Sequence, residues 1–197
     1  MTEILTLADA LAHSDRLHDR IRIQHAIARM ALNISADYTG KDYIGNDYVG
    51  ARPLYLTVMH GGMLFAAELA LALGEGGFDL EFDYLHATRY RGATTGAELH
   101  WKHRPDTSLR GRRVLLVDDI VDEGHTLAAV REWCRAEGAS EVRIAAMAVK
   151  RHDRCVPGLV ADYVGVEVPD RYVFGYGMDY HEQGRNLPAI YALKEPA

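Results

Sequence analysis

The run Arg113-Val114-Leu115-Leu116-Val117-Asp118-Asp119-Ile120-Val121-Asp122-Glu123-Gly124-His125-Thr126-Leu127 constrains this chain more than any other stretch. The apolar residues Val114 to Val117, bounded by charges, are too few for a helix and suit a strand buried on both faces of a parallel sheet. Asp118 and Asp119 then fall at its carboxyl end. Ligands of open α/β sheets sit outside that end, so adjacent carboxylates there would meet a ribose diol or a hydrated cation. Asp122-Glu123-Gly124-His125-Thr126 follows as a turn, and Leu127, Ala128, Val130, Trp133 and Cys134 recur at helical spacing, so a helix begins at the turn. Its free N–H groups and positive dipole end make an anion site, Gly124 lets backbone approach a ligand closely, and the Thr126 hydroxyl adds a donor. No lysine of the nucleotide-triphosphatase phosphate loop is present. The plainer alternative is a helix capped by Asp122 or Thr126, but a cap needs one small polar residue and has no use for several carboxylates around a glycine turn.

At 197 residues one domain is the default, and a net charge of -6 argues against a broad footprint for nucleic acid, so an anion site here must be local. The two cysteines, Cys134 and Cys155, lack metal-ligand spacing and suggest a reducing compartment. No stretch approaches ~18 uninterrupted apolar residues. Glu3 and Asp9 stand where a secretion signal would be basic, so a cytoplasmic location without membrane partners is expected.

Along the chain, Leu7, Leu11, Leu17, Ile21, Ile27 and Met30 predict one or two amphipathic helices over residues 6 to 32. Residues 37 to 50 repeat Asp-Tyr-x-Gly three times, too short a period for a solenoid. They read as a Gly-rich surface loop or short hairpin, or as a tyrosine-bearing arm at a subunit contact. Leu54 to Met59 reads as a strand, and His60-Gly61-Gly62 turns the chain into the helical pattern Met63 to Leu73. A strand is expected at Leu80 to Leu85, and another, Val142 to Val149, ends at Lys150. Between Leu85 and the central strand, His86 to Asp106 is polar and too long for a simple connection, which suggests a mobile loop or lid.

At these residues the chain resembles a known family. The run from Arg113 to Leu127 looks like the phosphoribosyl-pyrophosphate signature of the type I phosphoribosyltransferases. Val149-Lys150-Arg151 and Val168-Pro169-Asp170-Arg171-Tyr172-Val173-Phe174-Gly175-Tyr176-Gly177-Met178-Asp179-Tyr180 resemble the purine-reading segment of their hypoxanthine-guanine branch. The likeness covers most of residues 54 to 193. It implies the α/β type I phosphoribosyltransferase fold, a mostly parallel central sheet of about five strands flanked by helices. A single domain over residues 1 to 197 is expected, with its core at about 50 to 168 and a small hood from the N- and C-terminal segments.

The resemblance also implies a purine salvage transferase, converting hypoxanthine or guanine and phosphoribosyl pyrophosphate to IMP or GMP and pyrophosphate. Such a reaction must hold the diphosphate, neutralise the leaving charge and take a proton from the base. By this likeness Asp122 is the general base, Asp118 and Asp119 grip the ribose or Mg²⁺, and Asp122 to Thr126 bind the 5′-phosphate. The loop Met59-His60-Gly61, with a non-proline cis peptide at Met59-His60, and Arg185 would meet pyrophosphate. Lys150 would donate to the oxygen at purine C6, Tyr172 would stack on the base, the Val173 backbone would read its edge, and Arg171 would approach the pyrophosphate or support Lys150. Arg89 and Tyr90 correspond to the Ser-Tyr pair of the family's lid, and Asp179 to a second metal carboxylate. A homodimer or homotetramer is expected.

The chain departs from the family pattern at His60, where lysine is common, and at Glu123 and His125 in the phosphate turn. A histidine's charge varies with pH where a lysine's does not. An added carboxylate beside a phosphate is unfavourable unless its side chain turns away. Two other readings share the fold: a xanthine-preferring enzyme, and a non-catalytic regulator that senses nucleotides. The net acidic charge and the retention of Asp122 favour an enzyme.

Overall fold

The computed structural model describes residues 6–44, 47–48, 52–89 and 99–195. In chain order the elements are α1 (Leu7–Ala12), β1 (Ser14–His18), α2 (Arg20–Asp42), β2 (Tyr43–Ile44), β3 (Asp47–Tyr48), β4 (Leu54–Val58), α3 (Met63–Glu75) and β5 (Glu81–Arg89). Then come β6 (Leu99–His103), β7 (Arg113–Val121), α4 (His125–Ala136), β8 (Glu141–Lys150), β9 (Tyr163–Val168), β10 (Val173–Phe174) and β11 (Ile190–Leu193).

A six-stranded sheet runs in the order β6-β5-β4-β7-β8-β9, parallel except for the antiparallel edge pair β5 and β6. The apolar run in β7 is buried on both faces because both faces are covered. Leu115 and Val117 join α2 and α3 in one core, around Ile27, Met30, Phe65 and Leu69, whereas Val114 and Leu116 join Leu127, Val130 and Cys134 of α4 in the other. This is the alternation that strand geometry dictates, and it is why such a strand reads as continuous rather than alternating hydrophobicity.

The chain moves outward from β4 to β5, then returns to place β7 on the other side of β4. A crevice therefore opens between the loops after β4 and β7, the topological switch point. Register sets its depth. Thr57 lies opposite Val117 and Asp118 opposite Ala146, so Met59 to Gly61 emerge at the level of Asp118 and Asp119.

A second sheet, β1-β11-β10, is antiparallel and joins the two ends of the chain. It corrects the expectation of helices throughout residues 6 to 32: Ser14–His18 is a strand because β11 offers its edge, a pairing that local periodicity cannot reveal. Helix α2 runs on to Asp42 and absorbs the first Asp-Tyr-x-Gly unit. Tyr38 is buried there, edge-on to Phe78 with ring centres 5.6 Å apart, and the Arg113 guanidinium lies 4.0 Å over its ring. The surface-loop and subunit-arm readings of that unit thus give way to a core aromatic with a cation on its face. Tyr43–Ile44 pairs antiparallel with Asp47–Tyr48, as a short hairpin would, while Gly45, Asn46, Val49 and Gly50 lie outside the described residues.

The expected lid segment also changes character. His86 to Arg89 continues β5, and Leu99 to His103 pairs with it as β6. Residues 90–98, Tyr90 among them, lie outside the described residues. Among the described residues no helix is long and apolar enough to cross a membrane.

Candidate active site

The carboxyl ends of β4, β5, β7 and β8 and the turns around β10 enclose a cleft of about 880 Å³. Its walls include Met59, His60 and Gly61 from the first loop, Asp118, Asp119 and Asp122 to Thr126 from the second, Lys150 from the end of β8, and Tyr172, Val173, Asp179 and Arg185. Residues widely separated in the sequence thus converge on one site. Arg171 does not line it: its guanidinium donates to the carbonyls of Leu193 and Ala192 and to Asp15, so it ties β11 to β1. The backbone of Arg89 belongs to β5.

Both turns open their helices on a glycine. Gly62 caps α3 and Gly124 caps α4, and neither helix receives a side-chain hydrogen bond at its cap. First-turn amides are therefore left to an anion, although that of Met63 in α3 donates to the His60 carbonyl, and the reading of Asp122 or Thr126 as an ordinary cap does not hold. Gly124 has φ +77°, the left-handed region, and a side chain there would run into Leu159. The turn is pinned from outside by the amide of Val156, which donates to the Glu123 carbonyl at 2.9 Å. The peptide bond Met59-His60 is cis.

Glu123 is half-exposed at the cleft wall. Its carboxylate lies 3.5 Å from His125 Nε2 and 3.9 Å from Arg154 Nε. Arg154 in turn holds Asp170 through two hydrogen bonds of 2.8 and 2.7 Å. Glu123 and His125 therefore face each other, and Arg154 is shared between Glu123 and Asp170.

Asp118 and Asp119 sit side by side at the strand end, with the Asp119 amide donating to Asp118 Oδ1 at 2.9 Å. Burial, and then the neighbouring Asp119 charge, push the Asp118 carboxyl well above the ordinary carboxylate range; burial raises Asp119 too. Such a pair favours a nearby cation. Arg185 supplies part of that field: its Nη2 lies 2.6 Å from Asp179 Oδ1 while Nη1 donates to the Gly177 carbonyl at 2.8 Å. Asp179 also accepts the Glu182 amide at 2.8 Å. The Asp-Tyr-x-x-x-x-Arg spacing is thus a real contact.

Asp122 occupies the mouth of the α4 turn between two donors. Lys150 Nζ is 2.5 Å from its Oδ2, and His152 Nε2 is 2.7 Å from its Oδ1. Burial acts to raise this carboxyl, but the hydrogen bonds from Lys150 and His152 outweigh it, and the net position is below the usual range. Tyr172 is 43 % exposed and donates to the Asp179 carbonyl at 3.3 Å. Its ring lies nearly parallel to that of His181, with centres 6.0 Å apart.

Several residues at the site escaped sequence reasoning. His86 meets His60 edge-on, ring centres 4.4 Å apart, and burial followed by the proximity of His60 lowers its pKa. Lys102 and Glu182 also line the cleft. His152 could have been found from period-two alternation, which aims positions 150 and 152 the same way past a strand end. His86 had no such signal, because it lay in the segment read as a loop.

Comparison with known proteins agrees with this geometry. The family model of the phosphoribosyl transferase domain matches residues 13–182. A Streptococcus agalactiae protein named hypoxanthine-guanine phosphoribosyltransferase is 35% identical over 167 residues, covering 84% of this chain and 85% of its own. Its Streptococcus thermophilus counterpart is 37% identical over 163 residues, covering 82% and 83%. Among solved structures, the hypoxanthine phosphoribosyltransferase of Trypanosoma cruzi in a ternary substrate complex superposes with a TM-score of 0.84 at 28% identity, covering 93% of this chain and 97% of that one. A parallel sheet with its cleft at the switch point, two glycine-capped anion turns and matches along most of the chain lead to one conclusion: it belongs to the phosphoribosyl transferase family, in the hypoxanthine-guanine phosphoribosyltransferase branch.

Proposed function

We propose that this chain transfers the phosphoribosyl group of phosphoribosyl pyrophosphate to N9 of hypoxanthine or guanine, giving IMP or GMP and pyrophosphate. The observation that carries the reading is the Asp122 carboxylate, ionised between Lys150 and His152 at the foot of a helix whose first amides have no side-chain cap. The relatives named for hypoxanthine and guanine support the class of base.

In this reaction the N9–C1′ bond forms as the bond from C1′ to the pyrophosphate oxygen breaks. The electron pair leaves with pyrophosphate, and the N7 proton passes to Asp122. A carboxylate held below the usual range is wholly an acceptor at neutral pH, as a base must be. The amides of Glu123 to Thr126 and the Thr126 hydroxyl hold the 5′-phosphate, and the Met59-His60-Gly61 backbone with Arg185 receives the pyrophosphate. Lys150 donates to the C6 oxygen, which selects 6-oxopurines, since the amino group of adenine cannot accept from an ammonium. Tyr172 stacks on the base, and the Val173 backbone reads its edge.

A magnesium ion fits the donor set. Among the described residues no three ligating side chains converge, and Mg²⁺ commonly uses only one or two carboxylates, completing its shell with water and substrate phosphate oxygens. Asp118 and Asp119, both raised by burial and Asp118 also by the Asp119 charge, would hold it, and Asp179 would serve a second ion by exchanging its contact with Arg185. Bound there, it would neutralise charge on the departing pyrophosphate.

The test is a steady-state assay with Mg²⁺, phosphoribosyl pyrophosphate and each of hypoxanthine, guanine, xanthine and adenine. Turnover with the first two and little with adenine is expected. Preference for xanthine would reassign the base, and no turnover with any base would overturn the reaction in favour of a nucleotide sensor.

A further inference from the structure

Strand β8 ends at Lys150, and two residues later His152 sets its ring against Asp122, behind the cleft wall. The side chain of His152 is only 3 % exposed. Its Nε2 meets Asp122 Oδ1 at 2.7 Å, and its Nδ1 accepts the backbone amide of Arg154 at 3.1 Å. That second bond fixes the tautomer: a ring nitrogen accepting an N–H carries no proton, so the ring proton sits on Nε2 and is donated to Asp122. While the Arg154 amide occupies Nδ1, the ring has no free lone pair with which to take a proton from the carboxylate. His152 is therefore built as a donor, and not as a proton store.

Lys150 is placed differently. It holds the other oxygen of Asp122, yet in the transfer reaction proposed above, on which this inference rests, it must also donate to the base. When it turns to the C6 oxygen, Asp122 loses one of its two donors. Among the described residues only His152 then keeps the carboxylate in place.

We propose that His152 is a positioning residue for the proton-accepting carboxylate: by holding Oδ1 of Asp122 it leaves Oδ2 aimed at purine N7 once Lys150 engages the base. The proton lost from N7 goes to Oδ2, and His152 keeps its own. The charged groups around Asp122 are Lys150 from β8, His152 and Arg154 from the segment after it, Glu123 from the same turn, and Asp170 beyond Arg154. Of these only Lys150 and His152 hydrogen-bond to the carboxylate, and they are the two that draw its titration down against burial.

The experiment compares the wild-type protein with His152→Ala and His152→Gln, whose amide NH₂ can replace the Nε2 donor. Two readouts are used: carboxyl NMR titration of Asp122 in the free protein, and kcat, KM for phosphoribosyl pyrophosphate and the pH profile with hypoxanthine. In His152→Ala, Asp122 should titrate higher, kcat should fall about tenfold or more, the acid limb of kcat/KM should move up, and KM for phosphoribosyl pyrophosphate should hold. His152→Gln should restore both the titration and kcat. An unchanged Asp122 titration in His152→Ala overturns the proposal, as does a His152→Gln variant that melts like the wild type but stays as slow as His152→Ala. A wild-type protein without turnover would count against the transfer reaction itself, while the titration, which needs no substrate, would still decide whether His152 governs Asp122.

Discussion

Gly61 and Asp119 approach so closely that a Cβ at position 61 would lie 2.5 Å from Cγ of the carboxylate. The loop after β4 thus rests on the strand-end acid of β7. Gly177, with φ +102°, closes on the same point from the other side, where a Cβ would meet the Gly61 carbonyl and lie 3.2 Å from Asp119 Cβ. Two glycines let the loop after β4 and the turn after β10 pack against one carboxylate.

Gly61→Ala should therefore displace either the loop or Asp119. A shift of about 1 Å at a reacting centre costs on the order of 10²-fold in rate, so kcat/KM for phosphoribosyl pyrophosphate should drop on that scale while the melting temperature changes little. The check is paired kinetics and thermal melting. A variant as fast as the wild type would show that the loop tolerates the extra carbon and that Asp119 need not hold this position.

Asp122→Asn keeps the shape of the side chain and removes the proton acceptor. Turnover should fall by roughly 10²-fold or more, the scale of a lost general base, with binding of phosphoribosyl pyrophosphate largely retained. Calorimetric titration alongside single-turnover kinetics separates the two effects. Unchanged turnover would remove Asp122 from the proton-transfer role.

Much of this site was legible in the sequence because it is carried by local patterns. A doubly buried strand ending in Asp118-Asp119, a glycine turn opening a helix, and the spacing of Asp179 and Arg185 each lie within a few residues of chain. What stayed hidden depends on distant partners. The strand Ser14–His18 exists because β11 is there to pair with it, and Tyr38 is buried because Phe78 and Arg113 close around a helix that overran its glycine-rich repeat. Arg171 carries a charge that suited a phosphate, yet two β11 carbonyls and Asp15 claim it. Glu123, suspect beside a phosphate, is answered by Arg154, thirty-one positions on, which sequence spacing gave no reason to connect.

Lys150→Gln tests base recognition through the contrast between two bases, since its loss of contact with Asp122 is common to both. Lys150 is 11 % exposed in its side chain and sits against Asp122, so the neutral amide would lose the charge that grips a C6 oxygen. The KM for hypoxanthine should rise by about tenfold or more, the worth of a hydrogen bond from a charged donor. Adenine, which gains nothing from that ammonium, should be affected far less. Comparing kcat/KM for the two bases provides the check, and a mutant equally fast on hypoxanthine would show that Lys150 does not read the base.

Acid should weaken the fold through Glu141 at the start of β8. Burial acts to raise this carboxyl, but hydrogen bonds from Arg143 at 2.7 Å and Arg113 at 2.9 Å outweigh it and hold it below its ordinary 4.5. A carboxyl depressed in the folded state binds fewer protons than in the unfolded chain, so its stabilisation is complete above the ordinary value and is lost as pH falls through the lower folded one. Glu141→Gln should then lower the melting temperature at pH 7 by roughly 2–4 °C, a modest effect because the pair is partly open to water. Between about pH 5 and pH 3 the variant's curve should be flatter than that of the wild type, the two converging at the acid end. Parallel curves over that range would mean that Glu141 is not among the groups through which acid loosens the sheet.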